Sequence, residues 1–294
     1  MLFHYSYDML VKTVLLKGKN NNGREVFMMK KILSAVLSVT MAFCMLAVFA
    51  GCDKKAGKLI CGVTIFEPMN YQEANGEWTG FDTEFARLVG EKLDMKVEFQ
   101  KIDWKQKYTE LEAGTINCIW NGFTANGEDD GKPRNELVDF SYSYMNNKQC
   151  VVIKKDNADQ FTKVEDLADK KIAAENGSAG EAAAKDVLAS EDTYIGAESQ
   201  VSTLIEVKSG AVQCAVIDIL LAQTLVGNGD YSDLAIADIE LAAEVYAVGF
   251  KKGSDLTEKV NKAIQELFDE GEMDKLAAKY NLENYLQLNK GKIG

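Results

Sequence analysis

A single stretch of the chain brings together the groups that bind a carboxylate. The segment Asn121-Gly122-Phe123-Thr124 follows a short apolar strand and leaves backbone groups open beside a small hydroxyl. Arg134 comes ten residues after Thr124 and is one of two arginines beyond the N-terminal leader. Because its planar guanidinium forms two parallel charged hydrogen bonds, Arg134 is a natural receptor for a carboxylate. We therefore expect this stretch to bind the carboxylate of a small molecule.

The elements around this stretch predict where such a ligand would lie. From Lys58 onwards, apolar strands alternate with helical segments, and this alternation indicates βαβ units with a parallel sheet. Ligands bind such sheets at the carboxyl ends of the strands. Phe66, Trp104 and Thr124 each come just past a strand or in the loop that follows one, so we expect them near the ligand.

A second alternating set begins at Gln149 and carries polar residues of its own. Ser178 stands at a helix start, where the free N–H groups of the first turn attract negative charge. Asp218 stands at the end of an apolar strand, directly before an apolar helix. Both sets therefore place polar side chains where a ligand would bind.

Each candidate also has a simpler interpretation. A solvated surface position accounts for Arg134, and helix capping accounts for Ser178 and Asp218. The remaining candidates are also consistent with core or exposed positions: Phe66, Trp104, Trp120 and Glu175. Residue type and spacing alone leave these alternatives open.

The length of the chain indicates two lobes, since roughly 240 residues after the leader are too many for one comfortable core. We place lobe 1 at residues 53–145, lobe 2 at residues 146–243 and a return to lobe 1, with the C-terminal helices, at residues 244–294. The chain then crosses between the lobes near Tyr144 to Lys148 and near Ala243 to Tyr246, and these two crossings form a hinge. The predicted fold class is α/β, with a βα sandwich in each lobe.

The N-terminal segment is interpreted as a leader outside the fold. A Lys-Lys pair precedes an apolar run that ends in Ala50-Gly51-Cys52, the layout of a secretory signal over residues 28–52. Cys52 after Ala-Gly resembles a bacterial lipobox, in which this cysteine is lipidated after cleavage. An uncleaved membrane anchor is the alternative, since about 19 apolar residues can span a bilayer. Residues 1–27 have no periodic pattern and are interpreted as an upstream extension from a misplaced start codon.

Composition excludes several classes of function. The formal net charge is −12 at pH 7, which argues against nucleic acid and anionic membrane surfaces as partners, because both attract basic patches. The one histidine is His4, within the N-terminal extension. Zinc sites built on histidine and Ser-His or Cys-His catalysis are therefore excluded after the leader. We expect no cofactor and no metal.

Four cysteines follow the leader, and all lie in apolar runs typical of strands: Cys61, Cys118, Cys150 and Cys214. We expect them to be buried free thiols. Pairing of Cys61 with Cys118 is the alternative, if their strands are neighbours.

Seven motifs between Lys58 and Leu286 occur in an order that resembles the family 3 extracellular solute-binding proteins, the amino-acid receptors of ABC importers. They are Glu67-Pro68-Met69-Asn70-Tyr71, Trp78-Thr79-Gly80-Phe81-Asp82, Ile102-Asp103-Trp104, Asn121-Gly122-Phe123-Thr124, Arg134 with Val138-Asp139-Phe140-Ser141, Asn176-Gly177-Ser178 and Val216-Ile217-Asp218. No single motif is specific, but their joint order is. The resemblance implies a two-lobed type II periplasmic-binding-protein fold that closes on a free amino acid and delivers it to an ABC permease.

For the ends of the ligand, the resemblance implies the following contacts. Arg134 would bind the carboxylate, assisted by the Ala179 N–H at a helix start. Asp218 would receive the α-ammonium, while Gly122 and Thr124 would contact both groups. A buried zwitterion needs both charges matched, because an unpaired buried charge costs several kcal/mol. Placing the two partners on different lobes would couple binding to closure.

For the side chain of the ligand, the resemblance implies a second set of contacts. Phe66 and Trp104 resemble the aromatic pair that encloses it. Glu175 and Asn121 stand where the family often contacts its distal groups. Ser178 adds a hydroxyl from the second lobe.

The loop before Arg134 departs from the family pattern. The family has a short Thr-x-Thr-x-x-Arg turn, whereas this chain inserts the acidic Asn-Gly-Glu-Asp-Asp-Gly-Lys-Pro after Ala125. We align Arg134 by its spacing to Asp139-Phe140-Ser141. If the longer loop displaced it, Lys132 would be the substitute donor, a weaker one because it lacks the planar fork.

Two other classes of function remain as alternatives. An enzyme on the same fold, of the cyclohexadienyl-dehydratase type, would need a general acid or base over the ligand, and Glu175 is the candidate. A ligand-sensing ectodomain would need a further membrane span or signalling domain, and we expect neither. The preferred prediction is a monomeric, non-enzymatic receptor on the outer face of the cell membrane, held there by its lipid.

Overall fold

The computed structural model of the chain describes residues 57–291. The predicted leader, its lipid-acceptor Cys52 and the preceding residues 1–27 lie outside the described residues. Within residues 57–291, none of the helices combines the length and apolar character needed to cross a bilayer.

The first half of the described chain follows the predicted alternation of strands and helices. Its elements are β1 (Gly57–Val63), β2 (Tyr71–Gln72), β3 (Trp78–Thr79), α1 (Phe81–Leu93), β4 (Met95–Lys101), a 3-10 turn (Trp104–Gln106) that runs into α2 (Lys107–Ala113), β5 (Cys118–Ile119), β6 (Glu128–Asp129), β7 (Lys132–Pro133), α3 (Arg134–Leu137) and β8 (Asp139–Phe140). The inserted acidic loop is thus a small hairpin, because β6 and β7 pair in antiparallel fashion.

The second half begins with a long strand and ends with two helices and a short strand. Its elements are β9 (Ser143–Lys154), β10 (Ile172–Glu175), α4 (Ala179–Val187), β11 (Tyr194–Ala197), α5 (Gln200–Ser209), β12 (Cys214–Asp218), α6 (Ile219–Leu225), β13 (Leu234–Ile236), β14 (Ala243–Tyr246), β15 (Gly249–Phe250), α7 (Leu256–Asp269), α8 (Glu272–Lys279) and β16 (Leu286–Asn289); short 3-10 turns lie at Lys155–Gln160, Val164–Leu167, Glu191–Thr193 and Gly229–Tyr231.

These strands form two main sheets, one in each lobe. The first has the order β4-β1-β5-β15-β8, and the second β11-β10-β12-β9-β13. In the first sheet, β1 is parallel to β4 and β5, as predicted, but β15 is antiparallel to its neighbours. In the second, β10 is parallel to β11 and β12, while β9 runs against β12. The prediction of two α/β lobes is confirmed, and the strands of the first βαβ units are parallel as predicted. The segment that returns to the first sheet later in the chain, β15, runs in the opposite direction, as β9 does in the second sheet.

The segments that connect the lobes are themselves paired strands. The start of β9 pairs with β14, and its later part pairs with β12 in the second sheet. Strand β16 adds a third segment beside the start of β9. The chain from Ala243 to Phe250 is divided between two strands, so that β14 lies at the hinge and β15 in the first sheet. The residue limits given above for the lobes stay a prediction.

The C-terminal helices complete the first lobe. Helix α7 packs on α1 and α8. Its apolar face is buried at Val260, Ile264 and Leu267. Spacing of three and four residues places such side chains on one side of a helix, where they stabilise its packing.

An acidic residue near the start of helix α1 has a role other than capping. Asp82 could cap a helix by residue type, but the cap position is Gly80 and the helix begins at Phe81. The buried carboxylate of Asp82 instead accepts the Gly122 N–H at 2.6 Å and the Tyr144 hydroxyl at 2.8 Å. Burial raises the pKa of Asp82 to about 7, although both hydrogen bonds oppose the shift. Asp82 therefore fixes the loop after β5 and not the helix end.

The four cysteines of the described chain are buried and free, as expected. Cys61 and Cys118 are register partners on the neighbouring strands β1 and β5. Their Sγ atoms lie 3.6 Å apart, which is a contact distance and not a bond.

Candidate functional site

The ten residues predicted for the site surround one cavity between the lobes. The cavity is narrow, and Gln200 completes the lining. The predicted residues in this lining are Phe66, Trp104, Asn121, Gly122, Thr124, Arg134, Glu175, Ser178, Ala179 and Asp218. The inserted hairpin therefore leaves Arg134 at the cavity, while Lys132 is exposed.

Arg134 is held within the first lobe on two of its three nitrogens. Its side chain is 1% exposed. Nη1 donates to the Thr124 carbonyl at 3.0 Å, and Nη2 donates to Asp129 Oδ1 at 2.8 Å. The buried Nε has no partner within residues 57–291. Asp129 comes from the inserted hairpin, so part of the guanidinium is already neutralised by the protein itself.

Asp218 lies on the opposite side of the cavity, in the second lobe. It precedes α6 but makes no capping bond with its side chain. Four neutral donors contact its carboxylate: Tyr246 at 2.6 Å, Gln149 at 3.1 Å, and the amides of Asn147 and Gln200. Burial raises the pKa of Asp218, and these hydrogen bonds oppose the shift. Neutral donors stabilise an anion only partly, so an ammonium group would complete this environment.

Glu244 is a second buried carboxylate beside Asp218, and sequence reasoning missed it. Its Oε2 accepts the Thr124 hydroxyl at 3.0 Å and shares the amides of Asn147 at 2.7 Å and Gln149 at 3.1 Å. Burial and the charge of Asp218 raise its pKa above the ordinary range. The signal in the sequence was the alternation of polar and apolar residues in the two segments that form the hinge, β9 and β14. On these paired strands Asn147 is the register partner of Glu244.

Glu175 ends β10 with a buried carboxylate that lacks a full set of hydrogen-bond partners. The residue is 3% exposed. Its Oε1 has no hydrogen-bond partner in the described part of the chain. Burial and the charge of Asp218 raise its pKa to about 8, with Lys107 acting in the opposite direction. Since burying an unpaired carboxylate is costly, this atom is suited to meet a donor or cation of a ligand.

The polar groups of Asn121 and Gly122 are largely engaged within the protein. The amide of Asn121 is engaged by Thr64: its Oδ1 accepts the Thr64 N–H at 3.0 Å, and its Nδ2 donates to the Thr64 carbonyl at 3.2 Å. The Gly122 N–H donates to Asp82, so the carbonyl is the backbone group of Gly122 that remains for a ligand. Gly122 has φ +55°, and a Cβ there would lie 2.5 Å from Phe66, so a glycine is required.

Two aromatic side chains of the first lobe line the cavity. Phe66 meets Tyr246 edge-on, with ring centroids 6.3 Å apart, and Trp104 meets Phe123 edge-on at 5.5 Å. Asp103 fixes the turn that carries Trp104, because its carboxylate accepts the Lys105 N–H. These packed rings form a rigid apolar wall.

Other candidates take structural roles. Trp120 packs edge-on against Phe85 in the core, at 5.2 Å between centroids. Ser178 caps α4, as in its simpler interpretation, by accepting the Glu181 N–H at 3.1 Å. Its hydroxyl proton stays free to donate, and the N–H of Ala179, in the first turn, lies outside the internal bonding of the helix.

Within residues 57–291, no group of three or more histidine, cysteine, aspartate or glutamate side chains has an arrangement that would hold a metal ion. The cavity is lined instead by one arginine, neutral donors and two carboxylates. Such a set can bind an organic zwitterion through direct hydrogen bonds and ion pairs.

Comparisons with known proteins identify the family and the fold. The model of the bacterial extracellular solute-binding proteins, family 3, matches residues 59–283. The arginine-binding extracellular protein ArtP of Bacillus subtilis is 30% identical over 258 residues, which cover 86% of this chain and 98% of that protein. An ancestral arginine-binding protein bound to arginine has a TM-score of 0.69 at 31% identity, covering 76% of this chain and 98% of that one. AncCDT-1, an ancestral amino acid-binding protein and precursor of cyclohexadienyl dehydratase, has a TM-score of 0.67 at 29% identity, with 76% and 95% covered.

Proposed function

The chain belongs to family 3 of the bacterial extracellular solute-binding proteins, and on this premise we propose that it binds a free amino acid between its lobes and delivers it to an ABC importer. One observation carries the proposal. Arg134 from the first lobe and Asp218 from the second line the same cavity, so that a carboxylate and an ammonium can be matched at once. Since the two lie on different lobes, both contacts are complete only when the lobes are closed.

We propose further that the ligand has a cationic side chain. Glu175 presents a buried, partly unsatisfied carboxylate to the cavity. Glu244 and Asp218 add two more acidic groups, whereas Asp129 already neutralises part of Arg134. An excess of carboxylates in a buried site favours a ligand with two positive groups. The arginine-binding relatives are consistent with L-arginine as the first ligand to test.

A thermal-shift screen of the free amino acids tests this proposal. A ligand at 100 times its dissociation constant adds about 2.7 kcal/mol to the free energy of unfolding, so a cognate amino acid should raise the melting temperature clearly. We expect the largest shift with L-arginine, and smaller ones with L-glutamine and L-glutamate. If no amino acid raised the melting temperature, the receptor assignment would be wrong.

Affinity for a cationic side chain should rise with pH. Because the pKa of Glu175 is raised to about 8, its carboxyl is protonated below that pH, and binding a guanidinium then requires loss of a proton. The affinity for L-arginine should therefore fall by up to about tenfold per pH unit below about pH 8. Isothermal titration calorimetry over a pH series measures this slope.

L-Glutamine is the control ligand for this slope, since it shares the α-groups but lacks the cation. The affinity for L-glutamine should depend less on pH, because Asp218 and Glu244 alone would cause the dependence. Glu175→Gln should reduce the slope for L-arginine to that for L-glutamine. Equal slopes for both ligands in the unchanged protein would contradict the role of Glu175.

Members of this family act outside the cytoplasm, and we propose that a lipid on Cys52 holds this protein at the outer face of the cell membrane. The motif Ala50-Gly51-Cys52 supports this proposal. In a bacterial host, Cys52→Ala should move the protein from the membrane fraction to the soluble fraction or the medium. Cell fractionation and immunoblotting measure the change, and Cys44→Ala, which lies before the motif, should have no effect.

A dehydratase is the alternative function, favoured by one observation. A carboxyl with a pKa near 8 in a closed cavity, as at Glu175, can act as a general acid. We propose a receptor and not an enzyme because the curated relatives with assigned ligands are amino-acid-binding proteins. Release of product from prephenate or arogenate, measured with the purified protein, would favour the enzyme.

A further inference from the structure

We propose that the inserted hairpin, residues 127–133, controls the release of the ligand: its Asp129 positions Lys107 so that Lys107 bonds to the opposite lobe when the lobes are closed. The effect on ligand release rests on the proposed receptor function. The contacts that Asp129 and Lys107 make do not depend on that function. Neither Asp129 nor Lys107 is among the residues that line the cavity. Asp129 is therefore a positioning residue and not a ligand contact.

The hairpin folds so that one acidic side chain points inward and the others do not. Asp129 is the register partner of Lys132, and the turn between them, Asp130-Gly131, has positive φ values of 51° and 72°. The Arg134 N–H donates to the Gly127 carbonyl at 2.9 Å and closes the base of the hairpin. The neighbouring acidic residues of the hairpin are exposed, whereas the Asp129 side chain is 15% exposed.

Asp129 joins three groups of the first lobe. Its Oδ1 accepts from Arg134 Nη2 at 2.8 Å, and its Oδ2 lies 3.2 Å from Lys107 Nζ and accepts the Tyr108 hydroxyl. Although burial opposes ionisation, the two cations hold the pKa of Asp129 below its usual range. Because Lys107 and Arg134 are almost fully buried, they depend on this one carboxylate far more than a surface pair would.

Lys107 crosses from the first lobe to the second. Its Nζ donates to the Gly177 carbonyl at 2.8 Å, in the turn between β10 and α4. Gly177 has φ +74°, and a Cβ there would lie 3.1 Å from Lys105 Cα, so the two backbones are close at this point. The hairpin strand β6 also lies against α4 of the second lobe. Opening the lobes must break the Lys107–Gly177 bond and expose Lys107.

The charges around Lys107 explain why Asp129 is needed. Burial and the neighbouring Arg134 lower the pKa of Lys107 to about 8, while Asp129 and Glu175 oppose this shift. Without Asp129, the ammonium would face Arg134 with Glu175 as its remaining acidic neighbour. Lys107 would then lose its proton more readily or turn away, and the bond to Gly177 would weaken.

Ligand dissociation from the full-length protein tests this inference. Asp129→Asn should increase the dissociation rate of L-arginine tenfold or more and change the association rate less than threefold, as measured by stopped-flow tryptophan fluorescence. Glu128→Gln is the matched control, since it removes the same charge from an exposed position of the same hairpin. It should leave both rates unchanged. Equal rates for Asp129→Asn and Glu128→Gln would overturn the proposal.

Lys107→Met provides an independent variant that keeps the apolar stem. It should increase dissociation, and the double variant should dissociate no faster than Asp129→Asn alone, because both changes remove the Lys107–Gly177 bond. Asp129→Asn removes the ion pair with Arg134 as well. Additive effects would overturn the proposal.

Small-angle scattering of the ligand-free proteins separates this inference from the proposed function. Asp129→Asn should have a larger radius of gyration than Glu128→Gln, whether or not L-arginine binds. Failure of the unchanged protein to bind L-arginine would count against the proposed ligand. Equal radii for the two variants would count against the role of the hairpin.

Discussion

Replacing Arg134 with alanine should weaken amino-acid binding by about 2–5 kcal/mol, the cost of truncating one partner of a buried charge pair. The change removes the cation next to the ligand carboxylate and also leaves Asp129 with Lys107 as its one remaining cation. Isothermal titration calorimetry with L-arginine measures the loss. Arg87→Ala, on the exposed face of α1, is the matched control and should bind normally, since Arg87 contacts the Trp78 carbonyl away from the cavity.

The α-amide of L-arginine distinguishes a direct contact from an indirect one. The unchanged protein should prefer the free acid, because the amide lacks the negative charge that Arg134 binds. In Arg134→Ala this preference should disappear. If the preference survived, Arg134 would act through the packing of the loop and the hairpin, and not on the carboxylate.

Replacing Asp218 with asparagine should weaken α-amino acids by a similar amount, about 2–5 kcal/mol. The substitution keeps the size of the side chain but removes the charge that would pair with the α-ammonium. It also presents an amide N–H₂ to a position where Tyr246, Gln149, Asn147 and Gln200 all donate. Part of the loss will therefore come from the disturbed hydrogen bonds.

Ligands that lack the ammonium separate these two causes. The deaminated analogue of L-arginine should bind Asp218→Asn and the unchanged protein with similar affinity, apart from the loss that the disturbed hydrogen bonds cause. Asp238→Asn, an exposed carboxylate in the same lobe, is the control variant. Equal losses for the amino acid and its deaminated analogue would contradict the assignment of Asp218 to the ammonium.

The fold was largely predictable because it depends on periodic patterns that lie within short segments. Apolar runs and the apolar face of α7 predicted most strands and helices, and the order of seven motifs predicted the two-lobed family fold. Short edge elements were missed: β11, β13, β16 and the hairpin of β6 and β7. Strands of two to four residues are stabilised by pairing with distant segments, and their own sequence carries little signal.

The family resemblance predicted residues that line one cavity, whereas their hydrogen-bond partners could not be predicted. Arg134, Glu175 and Asp218 were among the residues that the resemblance implied, and all three line the cavity. The sequence did not indicate that Asn121 would bond to Thr64, or that Asp82 would fix Gly122 and not cap α1. A polar side chain bonds to whichever groups the folded chain brings within about 3 Å, and local spacing does not define that set.

By itself, the sequence determined the fold class, because strand ends and helix starts follow from local periodicity and turn chemistry, and the order of its motifs determined the family. The assignment of individual ligand contacts stays a prediction. The tertiary structure alone decided the balance of charge within the site. It placed Glu244 beside Asp218, and it placed Asp129 between Arg134 and Lys107. Each of these arrangements depends on how segments far apart in the chain approach one another in a buried, weakly screened interior, where a shift of a few ångströms decides which charges are paired.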